Sequence, residues 1–416
     1  MNPPLTATRT HGFTESVIRE MTRVAREHDA INLAQGFPDF PAPDVVKDAA
    51  CSAIRGDINQ YAITWGAPRL RTALARRYHD WYGMEVDPQR EVTVTCGATE
   101  AMASVLLAAV NPGEEVIVLE PFYENYGPDA ILCGATPVWV PMEMQRTDPG
   151  DDASRGGLRF SLDLDRLASA FSARTRAIVL NTPNNPTGAL LSRPELEAIA
   201  DLCRRHDAIA VTDEIYEHIV YEGAHVPMAT LPGMRERTVT VSGASKTFSV
   251  TGWRVGTVVS PPALTDAIRK VHDFLTVGAP APLQEAVATG LETLGADYYE
   301  GLAADYRARR DALLGGLARA GLRCTVPDGA YYVLADFSSA CELDDVEFSR
   351  RLAAGDLGRP AGPDAPGGVA PVPGSSFFHD PHAGNSLVRF AFCKRVETLE
   401  RAAERLADIL LEHRNR

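Results

Sequence analysis

The middle of the chain alternates short runs of β-branched and aliphatic residues with segments whose apolar residues recur at helical spacing. Seven runs are predicted to be strands, at 91–96, 115–119, 136–141, 176–181, 209–213, 238–242 and 255–260. Helical patterns lie between several of them, as at 99–110 and 193–206. Strands that alternate with helices form a mainly parallel sheet covered on both faces. The pattern therefore predicts an α/β fold with a seven-stranded sheet, and ligands of such sheets bind beyond the carboxyl ends of the strands.

The last third of the chain has a different pattern, typical of a smaller α+β domain. Its segments are a long helical stretch at 286–317, a β-rich run at 329–337, a loop rich in Pro and Gly at 359–374, a strand at 387–392 and a terminal helix from 396. We expect three units: an N-terminal arm with part of the small domain at 1–45, a large domain at 46–285, and a small C-terminal domain at 286–416.

Composition narrows the classes of protein to which the chain can belong. Of its 416 residues 45% are apolar and 23% are charged, and the formal net charge is −14. Such a chain buries a large core, which excludes global disorder, and its acidic balance argues against wholesale binding to nucleic acid. No signal peptide or membrane-spanning stretch is visible, and the seven cysteines form no CxxC pair. We therefore expect a cytoplasmic protein that binds neither membranes nor zinc.

Two turns at predicted strand ends are suited to ligand binding. In the first, a strand ends at Gly97 and a helix opens near Thr99, where free backbone N–H groups can bind an anion. In the second, the loop at 181–188 follows an apolar strand, and Asn185 could present its amide to a ligand. Taken alone, the first turn is better explained as an ordinary strand-to-helix turn with Thr as N-cap, and the second can be a plain turn, because Asn and Pro favour turns.

Charged side chains follow or occupy three of the later strands. Asp213 ends an apolar strand, where a carboxylate needs a partner: it could bind a protonated ring nitrogen or cap a helix, and Tyr216 could reach the same place. Lys246, one of only four lysines, lies in a loop of small and hydroxyl residues that suits Schiff-base chemistry. Arg254 could bind a phosphate through two of its guanidinium nitrogens at once. Arg389 lies inside an apolar strand and needs either a substrate carboxylate or an internal salt bridge.

Together and in this order, these segments resemble the class I/II aminotransferases of fold type I, which use pyridoxal 5′-phosphate. The run GASKTFSVTGWRVG at 243–256 matches the lysine motif of that family throughout. Residues 32–41 and 59–61 are similar to the branch that contains kynurenine/glutamine, methionine and succinyldiaminopimelate aminotransferases. The resemblance extends from about residue 30 to the C-terminus. It implies a large pyridoxal-phosphate-binding α/β domain with a smaller α+β domain.

The resemblance also implies how the cofactor ring is held. Lys246 would bind the cofactor covalently and then carry the proton during catalysis. Asp213 would keep the ring nitrogen protonated, and Asn185 and Tyr216 would bind the 3-hydroxyl group. Tyr123 would stack on the ring.

The same resemblance assigns residues to the cofactor phosphate and to the substrate. The phosphate would be bound by five residues at two turns: Gly97, Ala98, Thr99, Ser245 and Arg254. Tyr61 would reach the phosphate of the neighbouring subunit, which implies a homodimer. Arg389 would bind the substrate α-carboxylate, together with Asn185 and the backbone of Gly36.

The implied function is transfer of an α-amino group from an L-amino acid to a 2-oxo acid by a ping-pong mechanism. No clear second arginine is visible for a second carboxylate, so we expect a donor with a neutral or aromatic side chain. The alternative is a pyridoxal-phosphate C–S β-lyase, which would use the same residues. A ligand-sensing regulator would need a DNA-binding module, for which the residues ahead of the match are too few. An inactive interaction protein would not need all four of Lys246, Asp213, Asn185 and Arg389.

Three features depart from the family pattern. Many relatives carry Ser where this chain has Gly243, and either Ser242 or Ser245 could compensate. The stretch at 276–280 is small where kynurenine-type relatives carry aromatic side chains, and the loop at 353–369 is longer than usual. These departures leave the donor and acceptor open, and with them the choice between primary and specialised metabolism.

Overall fold

The computed structural model describes residues 5–147, 156–358 and 367–414. Its helices are α1 (Val17–Glu27), α2 (Asp44–Arg55), α3 (Pro68–Tyr82), α4 (Ala98–Ala109), α5 (Tyr126–Leu132), α6 (Leu164–Ala170), α7 (Arg193–Arg205), α8 (Ala244–Thr247), α9 (Pro262–Thr276), α10 (Ala281–Thr293), α11 (Ala296–Arg319), α12 (Asp345–Ala354) and α13 (Val396–Arg414). Its strands are β1 (Ile31–Asn32), β2 (Val92–Thr95), β3 (Glu115–Glu120), β4 (Thr136–Pro141), β5 (Glu143–Arg146), β6 (Leu158–Ser161), β7 (Thr175–Asn181), β8 (Ile209–Asp213), β9 (Thr238–Gly243), β10 (Gly256–Val259), β11 (Arg323–Cys324), β12 (Tyr332–Asp336), β13 (Val369–Ala370), β14 (Val372–Pro373) and β15 (Leu387–Ala391).

A seven-stranded sheet of order β2-β10-β9-β8-β7-β3-β4 forms the centre of the fold. The pairings from β9 to β4 are parallel, whereas β10 runs antiparallel to both β9 and β2. The seven predicted strands are these seven, and every predicted end agrees to within one residue. The predicted α/β class with a mainly parallel seven-stranded sheet is therefore confirmed.

Alternate residues of the central strands face two different helical layers. Val116 and Val118 pack with α4, α5 and α9 on one face, whereas Ile117 packs with α6 and α7 on the other. Successive side chains of a strand point to opposite faces, so a strand buried on both sides reads as a continuous apolar run. The apolar runs thus follow from the two-sided cover.

A second, antiparallel sheet of order β11-β12-β15-β14 packs against α11 and α13. The short strand β1 pairs in parallel with β13, which brings the N-terminal segment to this part of the molecule. The predicted division into three units stays a prediction. Its boundary between residues 285 and 286 falls within α10, which packs on α2 and α3.

No helix among the described residues is both long and apolar enough to cross a membrane. Part of the loop at 353–369, residues 359–366, lies outside the described residues.

Candidate active site

A cavity of about 480 Å³ lies beyond the carboxyl ends of β7 and β8. Of the thirteen predicted site residues, eleven line it: Gly36, Ala98, Thr99, Tyr123, Asn185, Asp213, Tyr216, Ser245, Lys246, Arg254 and Arg389. A larger cavity of about 910 Å³ shares only Tyr126 and Asn181 with it and contains none of the predicted set. The convergence of chemically distinct groups, rather than size, marks the smaller cavity as the candidate active site.

Lys246 lies in the short helix α8, directly after β9, so that its side chain enters the cavity. Its Nζ donates to the carbonyl oxygen of Gly36 at 3.2 Å and lies 5.5 Å from the centre of the Tyr331 ring. Burial lowers the pKa of Lys246 to about 8. The amine is therefore neutral in a sizeable fraction of molecules near neutral pH, as a nucleophile or base requires.

Asp213 ends β8 and is buried at the floor of the cavity. Its Oδ2 accepts a hydrogen bond from the Tyr126 hydroxyl at 2.8 Å, and its Oδ1 accepts one from the Ile215 N–H at 3.3 Å. Burial raises the pKa of Asp213 to about 6, although the hydrogen bond from Tyr126 opposes this rise. Sequence reasoning missed Tyr126, whose only signal was its position one helical turn after Tyr123.

Arg389 is fully buried in β15. Its Nη1 donates to Asn185 Oδ1 at 2.9 Å and its Nη2 donates to the Ala34 carbonyl, while the Tyr332 ring centre lies 4.4 Å from the guanidinium carbon. Its Nε has no hydrogen-bond partner, and no carboxylate of the described residues lies within 4.0 Å. The internal salt bridge is therefore not formed, and the side chain remains available to an anion.

A candidate anion site, formed by Ala98, Thr99, Ser245 and Arg254, lies at the opening of α4. Gly97 precedes it with φ of +86°, and a Cβ on Gly97 would lie 2.1 Å from Nη2 of Arg254. Only glycine fits this close approach of guanidinium and backbone. The helix N-terminus and the guanidinium thus face the same space, as a phosphate requires.

The side chains of the two serines that could compensate for Gly243 point to different places. Ser245 lines the cavity, whereas the Ser242 hydroxyl donates to Glu217 Oε1 at 2.9 Å and is buried away from it. Of the two, only Ser245 is positioned to contact an anion bound at the opening of α4.

A strap, residues 34–37, crosses the cavity, and each of its carbonyl groups accepts a hydrogen bond. Besides the bonds from Arg389 and Lys246, Tyr331 donates to Gly36 at 2.9 Å, and Lys394 Nζ donates to Phe37 at 2.7 Å and to Gln35 at 3.4 Å. The sequence suggests no special role for Lys394, which follows the last strand. In the fold it is only 3% exposed, and its ammonium group holds two of the strap carbonyls.

The mouth of the cavity combines apolar and charged side chains. Ile18 and Phe37 line it together with Arg19 and Glu124, and Ser16 donates to the Glu124 carboxylate. Arg19 is exposed, and its side chain forms no ion pair with any residue of the described ranges. Arg19 and Arg389 thus line the same cavity, which the sequence did not indicate because they are brought together only by the fold.

Tyr61 does not line the cavity of its own chain. It is 88% exposed, on a surface segment that also exposes Ile58 and Ile63. Phe274, at 90% exposure, and Leu275 are further large apolar side chains left on the surface, near the end of α9.

Comparisons with known proteins agree with this geometry. The family model described as aminotransferase class I and II matches residues 28–406. The chain is 40% identical over 413 residues to a probable N-succinyldiaminopimelate aminotransferase of Mycobacterium tuberculosis, with 97% of this chain and 98% of that protein covered. It is 36% identical to human kynurenine–oxoglutarate transaminase 1, with 98% of both chains covered.

Solved structures show the same fold. The structure of the M. tuberculosis N-succinyldiaminopimelate aminotransferase superposes with a TM-score of 0.88 at 38% identity, covering 97% of this chain and 100% of that chain. A structure from Escherichia coli, whose title assigns a methionine aminotransferase function, superposes with a TM-score of 0.87 at 34% identity, covering 98% and 100%. The resemblance seen in the motifs is thereby confirmed, and the chain belongs to the class I and II aminotransferase family of fold type I.

Proposed function

We propose that this aminotransferase uses pyridoxal 5′-phosphate, held in the cavity beyond β7 and β8, to move the α-amino group of an L-amino acid to a 2-oxo acid. The observation that carries the proposal is the convergence of an amine, a carboxylate and an unpaired guanidinium, those of Lys246, Asp213 and Arg389, on one cavity. Each group has the chemistry that one part of the reaction needs.

The donor set fits the proposed cofactor part by part. The Lys246 amine can bind an aldehyde, and the Asp213 carboxylate can pair with a protonated pyridine nitrogen. Asn185 and Tyr216 offer an amide and a phenol to a ring hydroxyl, and both are buried on the cavity wall. The anion site offers backbone N–H groups, a hydroxyl and a guanidinium to a phosphate.

When bound, pyridoxal phosphate supplies an electron sink for the charge left when a substrate loses its α-proton. The protein supplies the proton transfers. Lys246 Nζ accepts the α-proton and later returns it, because its lowered pKa allows the neutral amine near neutral pH. Asp213 stays a carboxylate above its pKa of about 6, and its negative charge keeps the ring nitrogen protonated.

Arg389 is proposed to bind the substrate α-carboxylate. Its Nε is buried without a partner, and Asn185 fixes the guanidinium through Nη1. Gly36 leaves room for the Tyr332 ring that packs on this guanidinium, because a Cβ on Gly36 would lie 2.1 Å from the Tyr332 hydroxyl oxygen. A carboxylate at this position would gain a charge-assisted hydrogen bond that no protein group now provides.

The mouth of the cavity supports a donor with a neutral side chain, which can pack on Ile18, Phe37 and Tyr123. Arg19 at the same mouth supports an acceptor with a second carboxylate, such as the oxoglutarate in the name of the human relative. A ping-pong enzyme binds donor and acceptor in turn, so that one cavity serves both.

We also propose that the chain acts as a homodimer. Tyr61 is 88% exposed, and the exposed apolar side chains of Ile63 and Phe274 suit an interface with a second copy. In such a dimer Tyr61 would reach the cofactor phosphate of the partner subunit.

Replacing Lys246 with Ala tests the reaction. We expect turnover to fall by about 1,000-fold or more, because the main proton carrier is lost. Release of a 2-oxo acid from single amino acids, followed with the absorbance of the bound cofactor, measures this. Lys47→Ala is the control, since Lys47 lies on the surface and pairs with Asp44 at 2.6 Å. Full activity in Lys246→Ala refutes the proposal, whereas ammonia and pyruvate from the native protein indicate β-elimination.

Replacing Tyr126 with Phe tests Asp213. Loss of the hydrogen bond removes an effect that lowers the pKa of Asp213, so this pKa rises and the acid limb of kcat/KM moves to higher pH by roughly one pH unit. Activity on the alkaline side stays close to that of the native protein. Tyr82→Phe removes a similar bond, from Tyr82 to Glu217 at 2.7 Å outside the cavity, and should leave the profile unchanged. An unmoved acid limb in Tyr126→Phe would exclude this role of Asp213.

Replacing Arg19 with Leu tests the acceptor. We expect KM for 2-oxoglutarate to rise about tenfold, because a charge-assisted contact is lost, while KM for a neutral 2-oxo acid changes little. Arg23→Leu is the matched control on the same helix, since Arg23 pairs with Glu15 at 2.9 Å outside the cavity. Equal changes for both acceptors would argue against a contact between Arg19 and the second carboxylate.

A further inference from the structure

A buried histidine stands behind the anion site. His272, on α9, is fully buried, and its Nδ1 lies 3.1 Å from each carboxylate oxygen of Glu100. Its Nε2 lies 2.8 Å from the carbonyl oxygen of Thr64. A carboxylate and a carbonyl can only accept, so both ring nitrogens must carry a hydrogen to bond them. With Glu100 ionised, the two bonds form together only in the positively charged imidazolium, from which the Thr276 hydroxyl, 3.3 Å from Nδ1, can also accept.

Glu100 lies in the first turn of α4, the helix whose N-terminus forms the anion site. Its carboxylate also accepts from the Cys96 N–H at 3.0 Å and from the Ser104 hydroxyl, and its side chain is only 10% exposed. Glu100 directly follows Thr99 and lies two residues after Ala98, and the phosphate is proposed to bind at these two residues. Alone, this charge would repel the phosphate, and low exposure to water would leave the repulsion poorly screened.

The hydrogen bond from His272 Nε2 to Thr64 reaches the segment that carries Tyr61. Thr64 lies three residues after Tyr61, and the neighbouring Val94 N–H donates to the Trp65 carbonyl at 3.0 Å. His272 therefore connects α9 and α4 with the segment that is proposed to reach the partner subunit.

We propose that His272 is a positioning residue for the cofactor phosphate: its imidazolium neutralises Glu100 and holds Thr64, so that the affinity of the anion site depends on the charge of His272. The inference rests on the proposed function, because it takes the phosphate of pyridoxal phosphate as the anion. It goes beyond that function by assigning the control of phosphate affinity to a residue outside the cavity.

The other charged and titratable groups around His272 either donate hydrogen bonds to other partners or carry a negative charge. Asp273 follows it on α9 with a negative charge, Arg269 donates to the Val92 carbonyl at 2.7 Å, and the Cys96 thiol donates to the Gly278 carbonyl at 3.3 Å. Arg254 is itself part of the proposed anion site. Glu100 thus remains the principal partner of the imidazolium charge.

The direction of the pH dependence follows from this pair. Burial by itself lowers the pKa of His272, but the hydrogen bond and negative charge of Glu100 raise it above its ordinary value. The imidazolium therefore persists through neutral pH and is lost as the pH rises above that raised pKa. Phosphate affinity should accordingly fall on the alkaline side.

The test measures binding of 4′-deoxypyridoxine 5′-phosphate, which lacks the aldehyde and cannot react with Lys246. Calorimetric titration uses the full-length protein freed of cofactor, first at about pH 7.5, where the phosphate is mostly dianionic. We expect His272→Gln to bind roughly tenfold more weakly, the size of effect expected for one nearby charge. Glu100→Gln should bind no more weakly than the native protein, and the double variant should recover to within about threefold of it.

The pH profile adds a readout that a purely structural role would not change. Affinity of the native protein should fall on the alkaline side, whereas Glu100→Gln should show a smaller fall, with Lys246 identical in both. His79→Gln is the matched control, because His79 pairs with Glu85 at 2.8 Å on the surface, with side chains 59% and 88% exposed. It should bind like the native protein.

Three outcomes would overturn the inference. They are equal affinity of His272→Gln and native protein, no recovery in the double variant, or identical alkaline profiles of native protein and Glu100→Gln. If His272→Gln fails to fold, as thermal unfolding would show, the single Glu100→Gln profile still decides the question. Failure of the native protein to bind the analogue would instead refute the proposed cofactor, and the inference with it.

Discussion

The strap, residues 34–37, is the element on which the candidate site depends. Its four carbonyl groups are held by Arg389, Lys246, Lys394 and the Tyr331 hydroxyl. Lys246 follows β9 of the central sheet, whereas the other three donors lie in or close to strands of the antiparallel sheet. The strap therefore fixes the relative position of the proposed base, Lys246, and the proposed carboxylate-binding group, Arg389.

Carbonyl groups are weaker partners than carboxylates for a buried cation, and that weakness is useful here. None of these three cations has a carboxylate within 4.0 Å in the described part of the chain. A buried charge without an ion pair costs free energy, which hydrogen bonds to carbonyls and contacts with aromatic rings only partly offset. Arg389, whose Nε has no partner, can accept an anionic ligand without losing an ion pair. A site with internal salt bridges would first have to break them.

The sequence predicts the strands well and the contacts between distant segments poorly. Runs of β-branched and aliphatic residues locate the seven strands because this signal is local. Asp213, Lys246 and Arg389 were found because polar groups at the ends or inside apolar strands are conspicuous. Tyr126, Lys394 and His272 were missed because their partners lie far away in sequence, at Asp213, Phe37 and Glu100. No periodicity encodes such pairs.

Burial acts in opposite directions on the two titrating groups at the centre of the cavity. It raises the pKa of the Asp213 carboxyl to about 6 and lowers the pKa of the Lys246 amine to about 8, since it disfavours the charged form of each. Their mutual attraction opposes both changes. Between these values Asp213 remains negative, while a growing fraction of Lys246 is neutral as the pH rises. One cavity thus holds a stable negative charge and an available base at the same pH. This is possible because both groups are buried, while the hydrogen bond from Tyr126 stabilises only the carboxylate.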